Sequence, residues 1–156
     1  MGPPRIVLLC AGVCALVVCA QQPIQFPHNR HIGFGLDCID CHSTADTRAA
    51  ATIQSVSKCM LCHAKLGRDK AGVKQVIEYA QKKREIPWKR VYGFDAGAMV
   101  KFRHAPHVRA GVACAACHGD MTKAVVAEPL VKHTMGTCLT CHRQKGAPED
   151  CTTCHF

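Results

Sequence analysis

Five short segments of this 156-residue chain repeat one pattern: two cysteines separated by two residues, followed at once by a histidine. The segments are Cys38-Cys41-His42, Cys59-Cys62-His63, Cys114-Cys117-His118, Cys138-Cys141-His142 and Cys151-Cys154-His155. This spacing lets two sulfurs bond to the same porphyrin while the adjacent histidine ligates its iron from one side. The pattern therefore predicts covalent attachment of c-type haem.

Two other uses of paired cysteines compete with haem attachment. Zinc ribbons contain paired Cys-x-x-Cys units, and even numbers of cysteines in exported proteins usually form disulfides. Neither use needs a histidine directly after each pair. The chain has only 10 histidines, so their occurrence after all five pairs favours haem. We predict five covalently bound haem c groups, held by the ten motif cysteines and ligated by the five motif histidines.

Five histidines lie outside the motifs, which is one for each predicted haem: His28, His31, His104, His107 and His133. Histidine is a standard axial ligand of haem iron, so we predict that each closes the sixth position of one iron. One alternative stays open, because Met135 follows His133 by two residues and methionine also ligates haem iron. We favour His133 and keep Met135 as the alternative ligand.

The segment leading into a motif occurs twice. Phe26 to His42 reads FPHNRHIGFGLDCIDCH, and Phe102 to His118 reads FRHAPHVRAGVACAACH. Each copy carries two histidines ahead of its motif, and each is followed by a second motif. We predict an internal duplication of residues 26–67 and 102–146, with a fifth motif added after the second copy.

The first 20 residues have the character of a targeting segment. Arg5 precedes an apolar run, Ile6 to Ala20, that is shorter than a membrane-spanning helix. A signal peptide cleaved after Ala20 fits best, and lipidation of Cys19 or an uncleaved membrane anchor are the alternatives. Each of them exports the cytochrome domain at residues 21–156, and we predict a location on the periplasmic side of the cytoplasmic membrane.

The composition predicts a mainly α fold with little regular secondary structure and a core packed with haem. Aromatic residues are 5% of the chain, and only roughly 27 residues remain for each haem, too few for separate side-chain pockets. The clearest helix spans about residues 68–83, with Pro87 ending it and an apolar stripe of Val73, Val76, Ile77 and Ala80. We predict that the stripe covers a porphyrin face or edge, with packing on another helix as the alternative, and that short helical turns carry most of the motifs.

The formal charge of +9 raises nucleic acid or an acidic membrane surface as partners. Export excludes nucleic acid, and the short run Lys82-Lys83-Arg84 is interpreted as a solvated face. Closely packed haems conduct single electrons, so we predict an electron-transfer protein. A haem enzyme with an open iron site is less favoured, because the free histidines are enough to fill every sixth position.

The chain resembles the class III multihaem cytochromes c, and more closely the pentahaem cytochrome c subunit of alternative complex III, a quinol-oxidising membrane assembly. The matching stretches are QPIQFPHNRH, CMLCH, IPWKRVYGF, FRHAPHVRAGVACAACHG, MGTCLTCHR and DCTTCH. The resemblance implies a periplasm-facing subunit that passes electrons from quinol through iron-sulfur and haem partners, and it strengthens the alternative that Met135 is a haem ligand. A stand-alone periplasmic shuttle or a subunit of a conducting filament are the alternatives.

Overall fold

The computed structural model describes residues 22–156, and the predicted leader at residues 1–20 lies outside this range. Its α-helices are α1 (His28–Gly33), α2 (Cys38–Cys41), α3 (Val56–His63), α4 (Ala71–Gln81), α5 (His104–Arg109), α6 (Ala115–His118), α7 (Met135–Lys145) and α8 (Cys151–Cys154). Two 3-10 turns, Ala96–Ala98 and Met121–Lys123, complete the helical elements. Within the described residues, β structure is limited to a single bridge between Val100 and His155. The predicted fold class, mainly α with little regular structure, is confirmed.

Every Cys-x-x-Cys-His motif coincides with a helix or a helical turn, as predicted. The motifs fall on α2, α3, α6, α7 and α8, in chain order. Such a turn brings the side chains of residues three and four positions apart onto one face. Both cysteines and the following histidine can therefore approach one ligand from the same side.

The predicted central helix exists as α4 and is shorter than expected. It begins after Lys70, whose backbone is extended, and it ends at Gln81 rather than near Pro87. The cause of the early end is Lys83, which adopts a left-handed conformation with φ 50° and turns the chain away. Val76 and Ala80 of the apolar stripe pack with Val56 of α3, as the alternative of packing on another helix predicts.

Buried apolar side chains are few in the described residues. Val56 of α3 and Val76 of α4 meet Ile24 and Ile86 in one small cluster, with Trp88 packed against it. The remaining buried apolar residue is Ala105 of α5. Side-chain packing therefore stabilises mainly the α3–α4 unit, as the low aromatic content predicted. None of the helices within residues 22–156 is both long and apolar enough to span a membrane.

Matching backbone hydrogen bonds connect the two predicted copies. The Asn29 N–H at α1 donates to the Ala124 carbonyl at 3.0 Å, and the Ala105 N–H of α5 donates to the Arg48 carbonyl at 3.1 Å. Both donors and both acceptors are 76 residues apart, the offset that aligns the two lead-in segments. Each lead-in helix thus lies against the loop that follows the first motif of the other half.

Candidate haem-binding sites

Most of the histidine rings share one hydrogen-bonding pattern. Seven of them bond through Nδ1 to a backbone carbonyl oxygen: His31 to Pro27 at 3.0 Å, His42 to Thr52 at 2.9 Å, His63 to Leu66 at 3.0 Å, His104 to Ala49 at 2.9 Å, His107 to Arg103 at 2.7 Å, His142 to Pro148 at 2.5 Å and His155 to Ala98 at 2.8 Å. A carbonyl can only accept, so Nδ1 carries the proton and the lone pair is on Nε2. Metal-ligating histidines are commonly oriented by such a bond.

Histidine rings also approach one another in pairs at one characteristic distance. Because a metal–imidazole bond is about 2.0 Å long, two rings on opposite sides of one metal ion have centroids roughly 6 Å apart. His31 and His63 have centroids 6.0 Å apart, and His107 and His142 have centroids 6.1 Å apart. In both pairs the second lead-in histidine faces the second motif of its own half. The two pairs occupy corresponding positions of the duplicated segments.

The first lead-in histidine of each half lies near the first motif of that half. His104 and His118 are nearly parallel, with centroids 6.2 Å apart. In the other half, burial and then the neighbouring His42 imidazole lower the pKa of His28. Burial and then the His104 ring lower the pKa of His118 in the same way. Lowered pKa values favour neutral imidazole, which is the form that ligates a metal ion.

The two halves differ at the first lead-in histidine. His104 Nδ1 bonds to the Ala49 carbonyl, whereas His28 Nδ1 is buried and has no hydrogen-bond partner among the described residues. An unpartnered buried polar atom is costly, because it loses its hydrogen bonds to water. His28 is therefore the least completely oriented of the four lead-in histidines.

A phenylalanine ring stacks on the second lead-in histidine of each copy. The sequence analysis did not predict this contact. Phe26 stacks on His31 with centroids 4.2 Å apart, and Phe102 stacks on His107 with centroids 4.8 Å apart. A sequence signal for the two phenylalanines was present, because they occupy the same position in the two aligned segments. Their position ahead of the histidines gave no indication of ring stacking.

The motif cysteines lie close together in space, in an order that differs from their order in the chain. Burial first, then the nearby Cys114 thiol, raises the pKa of Cys38, which brings the first and third motifs together. Burial and then Cys41 raise the pKa of Cys59, linking the first and second motifs. Burial and then Cys141 raise the pKa of Cys117, linking the third and fourth. The spatial order is second, first, third, fourth.

Backbone hydrogen bonds join the fifth motif to the segment that precedes α5. The Lys101 N–H donates to the Cys154 carbonyl at 2.8 Å, and the Phe156 N–H donates to the Met99 carbonyl at 3.1 Å. The Arg143–Glu149 ion pair, 2.8 Å long, closes the short connection between the fourth and fifth motifs. The fifth motif is therefore held against the segment that precedes α5 and follows the fourth motif through a short connection.

The remaining histidine, His133, does not face the fifth motif. Its ring centroid lies 6.3 Å from that of His118, and it stacks on Tyr92 at 4.9 Å. Its Nε2 atom donates to the Cys117 carbonyl at 2.8 Å, so that nitrogen is already engaged. Met135 begins α7 and is exposed. The assignment of either residue to the fifth haem stays a prediction.

The residues fit a haem better than they fit a compact metal ion site. All ten motif cysteines are free thiols. Within residues 22–156, no three or more His, Cys, Asp or Glu side chains converge as a tetrahedral zinc site requires. Oriented pairs of imidazoles at the separation of opposite axial ligands, each pair beside two thiols, match the donor set of c-type haem.

Gly119, directly after His118, is expected to be intolerant of any side chain. Its φ of 74° and ψ of −173° lie in a region that only glycine adopts readily. An added Cβ would also come 2.8 Å from Leu130 Cβ. We expect Gly119→Ala to lower the free energy of unfolding by about 1–3 kcal/mol. Chemical denaturation of the haem-loaded protein measures this, with Gly33→Ala, which meets nothing within 4 Å, as the control. Equal stability of the two variants would contradict it.

Comparison with known proteins agrees with this donor set. Residues 14–90 match the class III cytochrome C family, and residues 100–156 match cytochrome c7 and related cytochrome c. The chain is 35% identical over 100 residues to the menaquinone reductase, multiheme cytochrome c subunit, of Nitratidesulfovibrio vulgaris (strain Hildenborough). That match covers 63% of this chain and 46% of the relative, so the chain spans about half the length of the protein it matches. The two family matches, which follow one another along the chain, make it a multihaem c-type cytochrome of the electron-transfer class.

Proposed function

We propose that the chain is an exported pentahaem cytochrome that relays single electrons within a quinol-oxidising membrane complex, on the periplasmic side of the cytoplasmic membrane. The carrying observation is that two pairs of Nδ1-oriented histidines, His31 with His63 and His107 with His142, lie with ring centroids about 6 Å apart in a chain that has five Cys-x-x-Cys-His motifs. The similarity to a menaquinone reductase subunit and the resemblance to the alternative complex III subunit support the link to quinol.

Each motif has a defined task in this proposal. Its two cysteines would form the thioether bonds to one haem, and its histidine would be the proximal ligand of that haem. Bound haem supplies reversible one-electron chemistry at its iron. The carbonyl bonds to Nδ1 hold each imidazole in the tautomer and orientation that present Nε2 to the metal.

The ring pairs support an assignment of the distal ligands. His31 serves the second haem opposite His63, and His107 serves the fourth opposite His142. His28 serves the first and His104 the third, each beside the first motif of its own half. By elimination the fifth haem takes His133, or Met135 as the alternative. For His133 to ligate through Nε2, its bond to the Cys117 carbonyl must break.

The spatial order of the motifs supports a linear relay. The second motif adjoins the first, the first adjoins the third, and the third adjoins the fourth. The fifth follows the fourth through a short connection. The second and fifth haems are then the two ends of the relay, where electrons enter and leave. The duplication places the two first motifs at its centre.

The size and composition of the haem-staining species, released from native membranes by mild detergent, test this proposal. We expect a large assembly that contains iron-sulfur and integral membrane subunits and whose haems become reduced when menaquinol is added. A small soluble species would instead indicate a free shuttle, and a fibre of this chain alone would indicate a conducting filament.

A further inference from the structure

Backbone carbonyls hold all four histidines that are proposed to ligate the second and fourth haems. His31 and His63 each donate from Nδ1 to a carbonyl oxygen. His107 and His142 do the same in the second copy. Such a bond raises the basicity of the ligating nitrogen, because it draws the Nδ1 proton away from the ring. A more basic ligand stabilises ferric iron relative to ferrous iron, so two of these bonds lower the reduction potential of a haem.

The first and third haems have only one such bond each. At the first haem, His42 donates to a carbonyl, whereas His28 Nδ1 is buried without a hydrogen-bond partner in residues 22–156. At the third haem, His104 donates to a carbonyl, whereas the His118 ring forms no hydrogen bond with any residue that the structure describes. The Tyr92 ring packs edge-on against His118, with centroids 4.8 Å apart.

The missing bond at His28 results from the position of one backbone carbonyl. In the second copy, the N–H and the Nδ1 of His104 both donate to the Ala49 carbonyl, at 3.0 and 2.9 Å. The residue that corresponds to Ala49 at the offset of 76 is Val125. Among the described residues, the Val125 carbonyl accepts no bond from His28. The lead-in histidine is therefore present in both copies, but its acceptor is in place in only one of them.

The first and third haems are also neighbours in the proposed relay. The thiols of Cys38 and Cys114 lie close together, which brings the two motifs into contact. Matching backbone bonds from Asn29 and Ala105 join the same parts of the two copies. The two haems with fewer hydrogen-bonded ligands are therefore adjacent, and an electron can exchange directly between them.

We propose that the first and third haems have higher reduction potentials than the second and fourth, and that together they hold the two electrons of one quinol. The inference rests on the proposed function, which supplies both the ligand pairs and the quinol. Oxidation of quinol to quinone releases two electrons and two protons. Each of the two irons gains one electron, and the protons pass to water. The chain can then take up the whole electron pair before it passes on the first electron.

A redox titration followed by electron paramagnetic resonance of frozen samples tests this order of potentials. Each haem signal is first identified by its loss from the low-spin spectrum of one variant: His28→Ala for the first haem, His31→Ala for the second, His104→Ala for the third and His107→Ala for the fourth. The ring planes of His31 and His63 are 73° apart. Those of His104 and His118 are 7° apart, so these two signals should also differ in shape. The potential of each identified signal is then measured in the unaltered protein.

We expect the signals of the first and third haems to disappear first on reduction. When these two haems are half reduced, the second and fourth should remain at least about threefold more oxidised than reduced. Potentials of the first and third haems at or below those of the second and fourth, with all haems low spin and reducible, overturn this inference and leave the relay intact. Alanine variants that lose no low-spin signal overturn the ligand pairs and, with them, this inference.

Nuclear magnetic resonance of the fully reduced, diamagnetic protein checks the hydrogen-bond cause separately. In protein with ¹⁵N-labelled histidine, an Nδ1–H proton that donates to a carbonyl should resonate downfield of one without an acceptor. We expect the protons of His28 and His118 upfield of those of His31 and His63. Downfield resonances for both His28 and His118 overturn the assigned cause, whatever the order of the potentials.

Discussion

Substituting His31 or His107 by alanine is expected to convert one of the five proposed haems from low spin to high spin and to leave the other four unchanged. Each imidazole is oriented by its Nδ1 bond to a backbone carbonyl and faces a motif histidine at 6.0 or 6.1 Å. Loss of the ring would therefore remove the proposed distal ligand of one haem, the second in His31→Ala and the fourth in His107→Ala. Visible and electron paramagnetic resonance spectra of the oxidised protein measure the fraction of high-spin haem.

Two controls separate ligation from a structural effect of these substitutions. Added imidazole should restore the low-spin spectrum, because it supplies the missing ligand. His107→Met should stay six-coordinate and raise the reduction potential of one haem, because methionine opposite histidine raises it. Phe34→Ala, at a side chain that is 86% exposed, should change neither spectrum nor potential. An unchanged low-spin spectrum in both alanine variants would contradict the assigned pairs.

Replacing both cysteines of one motif by alanine is expected to remove one haem, and its position decides the functional effect. Cys114→Ala with Cys117→Ala removes the third haem, whose motif adjoins both the first and the fourth. Cys151→Ala with Cys154→Ala removes the fifth, at the end of the series. Both variants should carry four haems, measured as the pyridine haemochrome.

The two cysteine variants should differ in how fast electrons equilibrate between the halves of the chain. Loss of the third haem leaves a gap in the middle of the relay, so equilibration should become much slower. Loss of the fifth leaves the other four in contact, so equilibration should be unchanged. Pulse radiolysis with absorbance detection follows this process. Equal rates in the two variants would argue against the spatial order second, first, third, fourth, fifth.

The sequence predicts the parts of the site that depend on local spacing. Cys-x-x-Cys-His fits within one helical turn, so the attachment residues are predicted without knowledge of the fold, and each motif does lie on a helix or helical turn. The two lead-in segments were recognised by alignment, and their histidines occupy corresponding positions in the structure. The helix at α4 was predictable from its apolar period, because that period is also local.

The features that could not be predicted all depend on backbone atoms or on distant contacts. The carbonyls that orient the imidazoles, such as those of Thr52 and Ala98, belong to residues whose side chains have no part in the bond. The approach of Cys38 to Cys114 brings together residues from the two halves. The position of His133 beside His118 was missed for the same reason. A count of histidines shows how many there are, but not which residues lie next to each one in the fold.

The run Lys82-Lys83-Arg84 was interpreted as a solvated face, and its side chains are exposed.

The intact mass of the exported, haem-loaded protein tests the central claim most directly. We expect the mass of the chain from its mature N-terminus plus that of five haem groups, retained under denaturing conditions because each is held by two thioether bonds. The reduced protein should also give the spectrum of six-coordinate c-type haem. Fewer than five haems, or a mass lowered by two hydrogens for each cysteine pair as in disulfides, would contradict the account.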